Sequence, residues 1–138
     1  MPMVRIAVPG SLDKRKIRII SDSIHTAMVE TIGIPEGDRF HVISRHDADT
    51  LIFDSSFLTD SPRTSIVLIH ILLRLGRTLH IKQLLYHKIA DRISTNAGIS
   101  LSDIMIVLSE NDLDDWSFSG GKAQYIEDPT LFARRKSE

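Results

Sequence analysis

Apolar residues recur at intervals of four in two places along the chain: Ile20, Ile24, Met28 and Ile32, then Leu85, Ile89, Ile93 and Ala97, 65 residues later. That spacing puts each set on one stripe of an α-helix. Asp13 and Thr78 stand where an N-cap belongs, and Gly33 and Gly98 stand where a C′ glycine would end each helix. Short apolar runs flank both helices, Val4 to Val8 and Phe40 to Ser44 around the first, Ile66 to Leu73 and Ile104 to Leu108 around the second. These have the length and character of strands. The turn Gly33-Ile34-Pro35-Glu36-Gly37-Asp38 also returns at the same offset as Gly98-Ile99-Ser100-Leu101-Ser102-Asp103. The pattern predicts a β-α-β unit present twice, repeat one over about 2–45 and repeat two over about 65–110.

Two such units predict an α+β fold: a four-stranded mixed sheet with two helices on one face. The two strands of the second repeat are apolar at nearly every position, the mark of a strand buried on both sides. Two helices cover one face only, so the other calls for further copies of the chain, a homo-oligomer. Between the repeats lies a polar stretch with a strand-like piece from Thr50 to Phe53. After the second repeat, Asp115 to Phe118 and Lys122 to Tyr125 flank Ser119-Gly120-Gly121 and predict a small hairpin over about 115–127. The charged run Arg134 to Glu138 reads as a tail. Residues 1–138 are expected to form a single domain.

Composition narrows the function classes. With 138 residues, 42% of them hydrophobic, the chain can bury one ordinary core. A net charge of −1 with scattered Lys and Arg gives no footprint for nucleic acid. The absence of cysteine excludes disulfides and thiolate zinc sites and suggests a reducing compartment, with the cytoplasm as the expected location. The first residues lack a signal-peptide pattern, and the apolar run Ile66 to Leu73 is too short to cross a bilayer, so no membrane partner is expected. His25, His41, His46, His70, His80 and His87 form no i, i+4 ligand pair on a helix, Asp112, Asp114 and Asp115 lack the spacing of a calcium loop, and no glycine-rich phosphate loop joins a strand to a helix. Neither a metal nor a cofactor is expected.

The candidate chemistry begins at Pro2. If the initiator Met is removed, Pro2 presents a secondary amine aimed by the backbone, and an α-amino group titrates at roughly 7.7–8.0 before its surroundings act on it. Burial or a neighbouring cation brings it closer to neutrality, where a general base works best. Parallel pairing in the first unit brings Asp38, at the start of the second strand, to the edge where Pro2 starts the first. A pseudo-twofold relation between the units brings the end of the third strand, Arg74 to Arg77, to that edge too. Arg77 stands just ahead of a helix N-terminus, where the macrodipole disfavours a cation by roughly 0.3–1 kcal/mol, a position that suits an anion clamp. The counterpart of Pro2 in the second repeat is Val67, inside the chain, so one site per chain follows.

Pro2 behind Met1, the turn Ile34-Pro35-Glu36-Gly37-Asp38-Arg39-Phe40, Gly76-Arg77-Thr78 followed by Lys82 and Tyr86, and Glu110-Asn111 leading to Asp115-Trp116-Ser117-Phe118 together resemble the tautomerase superfamily. The resemblance is to its longer-chain branch, which contains malonate semialdehyde decarboxylases and related tautomerases. It covers about Pro2 to Tyr125 and implies a homotrimer. Residue by residue it implies Pro2 as the acid–base group, Asp38 as its carboxylate partner, Arg77 as the binder of a substrate carboxylate, and Trp116, Phe118 and Tyr125 as an apolar pocket wall. Some decarboxylases of this branch carry Arg-X-Arg before the second helix; here the first of those positions is Leu75, with Arg74 one residue earlier and expected to face the other way.

This residue set suits keto–enol tautomerisation of a small 2-oxo acid. With Pro2 protonated, the same groups suit hydration or decarboxylation of a 3-oxo acid such as malonate semialdehyde, and an iminium on Pro2 is a further route. An isomerase is the expected class and a lyase the alternative. A non-catalytic ligand-binding oligomer is the reading from a different class, and it would gain nothing from a free proline.

Overall fold

The computed structural model describes residues 1–131; the run from Arg134 to Glu138 lies outside them. The chain forms β1 (Met3–Pro9), α1 (Lys14–Ile32), β2 (His41–His46), β3 (Val67–Arg74), α2 (Leu79–Ala97), β4 (Ile104–Asn111) and a short α3 (Gln124–Glu127). The sheet order is β2-β1-β3-β4, with the two outer pairs parallel and the central β1–β3 pair antiparallel. This is the predicted duplication: each parallel pair is one β-α-β unit, and the antiparallel seam relates the two.

Local chemistry sets the ends of both helices. The Asp13 carboxylate accepts from the Lys16 amide at 2.8 Å, and the Thr78 hydroxyl accepts from the Ile81 amide at 3.3 Å. Each bond satisfies an amide that has no partner within its own helix. Gly33 and Gly98 end the helices at φ of +66° and +67°, left-handed values at which a Cβ would be strained.

One core results. Val4, Ile6 and Val8 of β1 and Val67, Ile69, Ile71 and Leu73 of β3 pack against Ile20, Ile24 and Met28 of α1 and Leu85, Ile89 and Ile93 of α2. Each such side chain contributes roughly 1.5–3 kcal/mol when fully buried. Both helices therefore lie on one face. On the other, Leu68, His70 and Leu72 are only half-buried and Val42, Met105 and Val107 are exposed.

Two local expectations change. Thr50 to Phe53 is not a strand. The Asp47 carboxylate holds the Asp49 amide at 3.0 Å and the Asp47 carbonyl accepts from the Thr50 and Leu51 amides, so a local turn takes the hydrogen bonds a strand would need. The C-terminal hairpin is present at its smallest size, as one bridge between Ser119 and Lys122 around Gly120 and Gly121. The expected second arm, Lys122 to Tyr125, instead runs into α3. The Gln124 side-chain amide, accepting from the Phe118 amide at 2.9 Å and donating to the Ser119 carbonyl at 2.8 Å, supplies bonds that a second strand would have made through its backbone.

Candidate active site

Three pairings bring the site to one edge of the sheet. Val4 lies opposite His41 and its amide donates to the Phe40 carbonyl at 2.9 Å, which brings the chain start next to Asp38. Met3 lies opposite Leu72, so β3 ends beside the start of β1, and Arg74 at that end lies opposite Asn111 of β4. Pro2, Asp38, Arg74 and Asn111 thus stand at the same end of four neighbouring strands.

The turn before β2 is closed by the Asp38 amide donating to the Pro35 carbonyl at 3.0 Å. Its carboxylate forms an ion pair with the N-terminal ammonium, in a site where Met1 is 6% and Asp38 14% exposed. Charge pairs this sheltered from water are screened far less than surface pairs. In this chain the ammonium belongs to Met1, and the buried Pro2, expected to carry the free amine, carries an amide nitrogen.

Arg77 follows Gly76, whose φ of +114° turns the chain out of β3. The Leu75 amide holds this exit by donating to the Asn111 carbonyl at 2.8 Å, and the half-buried Arg77 guanidinium donates to the Arg74 carbonyl at 2.5 Å. Lys82 on α2 pairs with Glu110 at 2.5 Å. The Lys82 hydrogen bond, opposed by partial desolvation and supported by the Lys82 charge, the Gly76 amide and the Arg77 charge, holds the Glu110 carboxyl below its ordinary range. The guanidinium therefore sits within electrostatic reach of an existing carboxylate, at the strand end where a substrate carboxylate was expected.

The aromatic group is assembled as one unit. Trp116 stacks on Phe118 with centroids 5.4 Å apart and planes 5° from parallel, and Phe118 meets Tyr125 edge-on at 5.5 Å. The Trp116 indole N–H donates to the Asn111 side-chain oxygen at 2.9 Å, tying the aromatic group to the β4 end that carries Glu110. Asn111 and Lys82 had no assigned role in the sequence; the five-residue step from Asn111 to Trp116 was the available signal. Arg74 stands where the strand directions assigned it. Its β3 register brings it to the same edge and its parity places it with Leu72 and His70 toward the open face.

Cavities of about 430 Å3 and 280 Å3 open at the opposite end of the sheet, around Pro9, Thr64, Ser65 and Ile66. Those walls are mainly apolar, and the imidazole there, His46, has both nitrogens engaged, with Ser44 and Thr50. The charged groups converge at the Asp38 end, which makes that end the candidate active site.

Comparison with known proteins identifies the family. Family models described as tautomerase enzymes match residues 38–119 and residues 2–60. The chain belongs to the tautomerase family. This tautomerase-family chain is 35% identical over 127 residues to the probable tautomerase YusQ of Bacillus subtilis (strain 168), covering 92% of itself and all of that protein. It is 33% identical to FG41 malonate semialdehyde decarboxylase, solved with 3-bromopropiolate as inhibitor, with a TM-score of 0.85 and coverage of 92% of this chain and 96% of that one. A fused 4-OT solved as a symmetric trimer shares the fold at a TM-score of 0.71 and 18% identity, over 87% of this chain and 94% of that one.

Proposed function

We propose that the mature chain begins at Pro2 and that its amine catalyses keto–enol tautomerisation of small 2-oxo acids. The observation that carries this reading is the pairing of the N-terminal ammonium with Asp38 at the edge that also receives Arg74 and Arg77. Removing Met1 makes Pro2 the terminus. A neutral Pro2 amine takes the hydroxyl proton of the enol, the oxygen's electron pair re-forms the carbonyl, and the alkene pair takes the proton back from the resulting ammonium at the neighbouring carbon. Asp38 holds the ammonium in its cationic phase, Arg77 fixes the substrate carboxylate bidentately, and Trp116, Phe118 and Tyr125 shield the reacting carbons from water. The apolar open sheet face supports assembly as a homotrimer, the form in which the fused 4-OT of the same fold was solved.

Decarboxylation or hydration of a 3-oxo acid is the second reading. It is favoured by the 33% identity to FG41 malonate semialdehyde decarboxylase and by the arrival of Arg74 as a second cation at the site edge. Intact mass of the mature protein, followed by assay of Pro2→Ala on enolised phenylpyruvate and on malonate semialdehyde, tests both. The expected result is a mass lacking Met1 and a loss of roughly 10²–10⁴-fold in turnover on the true substrate. A retained Met1 with full activity would sink the amine mechanism.

A further inference from the structure

Two side chains of α1 hold the turn that carries Asp38. His25, 5% exposed, bonds through Nε2 to the Glu36 carbonyl at 2.8 Å, two residues before Asp38. A carbonyl only accepts, so Nε2 carries the hydrogen. Asp22, one helical turn earlier, pairs with Arg39 at 2.5 Å, the residue after Asp38. The turn that carries the carboxylate is thus tied on both sides of Asp38 to one helix.

His25 is a poor choice for packing alone. Among the described residues its Nδ1 is buried without a hydrogen-bond partner, and a buried nitrogen left unpaired forfeits its hydration with no bond in return. An apolar residue of similar volume would avoid that cost, so the ring's contribution is the bond to Glu36.

The second repeat supplies the internal control. At the 65-residue offset, Asp103 retains the carboxylate of Asp38, while His25 is replaced by Ala90, Asp22 by His87 and Arg39 by Ile104. Asp103 is nevertheless ordered, receiving the Thr64 amide at 3.1 Å and hydroxyl at 3.3 Å. The second turn thus forms with none of the residue types that make the α1 bonds at the matching positions of α2. Among the described residues they occur only in the repeat whose carboxylate faces an amine.

We propose that His25 and Asp22 are positioning residues that fix the Asp38 carboxylate against the N-terminal amine. This rests on the amine chemistry proposed above. Each bond immobilises the backbone on one side of Asp38, and displacement of a catalytic group by about 1 Å can cost on the order of 100-fold in rate.

The test is a double-mutant cycle on the full-length, mature chain, reading phenylpyruvate kcat and KM and, independently, the titration midpoint of the 15N-labelled Pro2 amine by NMR. His25→Leu is expected to lower kcat by roughly 10–100-fold with KM little changed, and to move the amine midpoint downward, as Asp38→Asn does, because a withdrawn carboxylate no longer favours the ammonium. His25→Gln, which retains an N–H near Nε2, is expected to restore most of both. On an Asp38→Asn background His25→Leu is expected to add almost nothing. The exposed Asp22→Ala is expected to give the same pattern more weakly, and it keeps the test valid if His25→Leu does not fold. Additive losses, or an unmoved amine midpoint in both His25→Leu and Asp22→Ala while Asp38→Asn shifts it, would overturn the positioning role alone. An amine indifferent to Asp38→Asn would overturn the parent reading with it.

Discussion

Asp38 and Asp103, 65 residues apart, hold the starts of two equivalent strands through different donors: Asp38 pairs with the N-terminal ammonium ahead of β1, and Asp103 receives the Thr64 amide and hydroxyl ahead of β3. Under the proposed mechanism, one geometry serves a chemical role in the first repeat and a structural one in the second. Asp38→Asn is expected to cost roughly 10²–10⁴-fold in kcat/KM with a modest change in melting temperature. Asp103→Asn is expected to leave kcat/KM nearly intact while destabilising by about 1–3 kcal/mol in denaturant titration, through the loss of buried hydrogen bonds. The reverse pattern would exchange their assignments.

Arg77 tests substrate binding separately from chemistry. Arg77→Ala should weaken handling of a 2-oxo acid by roughly 2–5 kcal/mol and hurt the corresponding neutral ester much less. Arg77→Lys should rescue only in part, because an ammonium cannot reproduce the planar fork. Equal losses for acid and ester would mean that Arg77, through its bond to the Arg74 carbonyl, chiefly holds the turn into α2.

The open sheet face predicts assembly. Val107 is 43% exposed in the single chain, and its neighbours on that face include Leu68 and Met105. Val107→Glu should leave the circular dichroism of the chain unchanged yet reduce the sedimenting species from a trimer to smaller forms, because a carboxylate inside an apolar interface is costly without a partner. A monomer at micromolar concentration before any substitution would contradict the trimer outright.

His41 links pH to stability. Its ring is packed against α1, with Nδ1 at 2.7 Å from the Ser21 hydroxyl, and burial first, then the Arg39 and His25 charges, push its pKa down to about 4. The folded state therefore binds this proton less readily than the unfolded chain, where histidine titrates near 6.5. The neutral ring costs nothing above that value; stability is lost as pH falls from about 6.5 and the loss levels off below about 4. Thermal unfolding across that window should show the decline, and His41→Gln should flatten it. An unchanged slope in the variant would place the proton uptake elsewhere.

The repeat, the helix caps and the core stripe were legible in the sequence because each is a local pattern with a fixed period or a fixed residue type. Ile20, Ile24 and Met28, Leu85, Ile89 and Ile93, Asp13 and Thr78, and Gly33 and Gly98 all occupy the places their spacing assigned. Strand direction was enough to bring Asp38 and the end of β3 to the edge of Pro2. Side-chain partners across elements were not legible, because no periodicity records which groups meet through space. The Thr50 to Phe53 stretch had the residues of a strand and lost to the carboxylate of Asp47. The second hairpin arm lost to a single glutamine, Gln124. Likewise, nothing in the sequence near His25 or Asp22 announces Glu36 and Arg39, since only the packing of α1 over β2 brings them within hydrogen-bonding distance. The chain's own order determined which residues reach the site; the tertiary packing decided what holds them there.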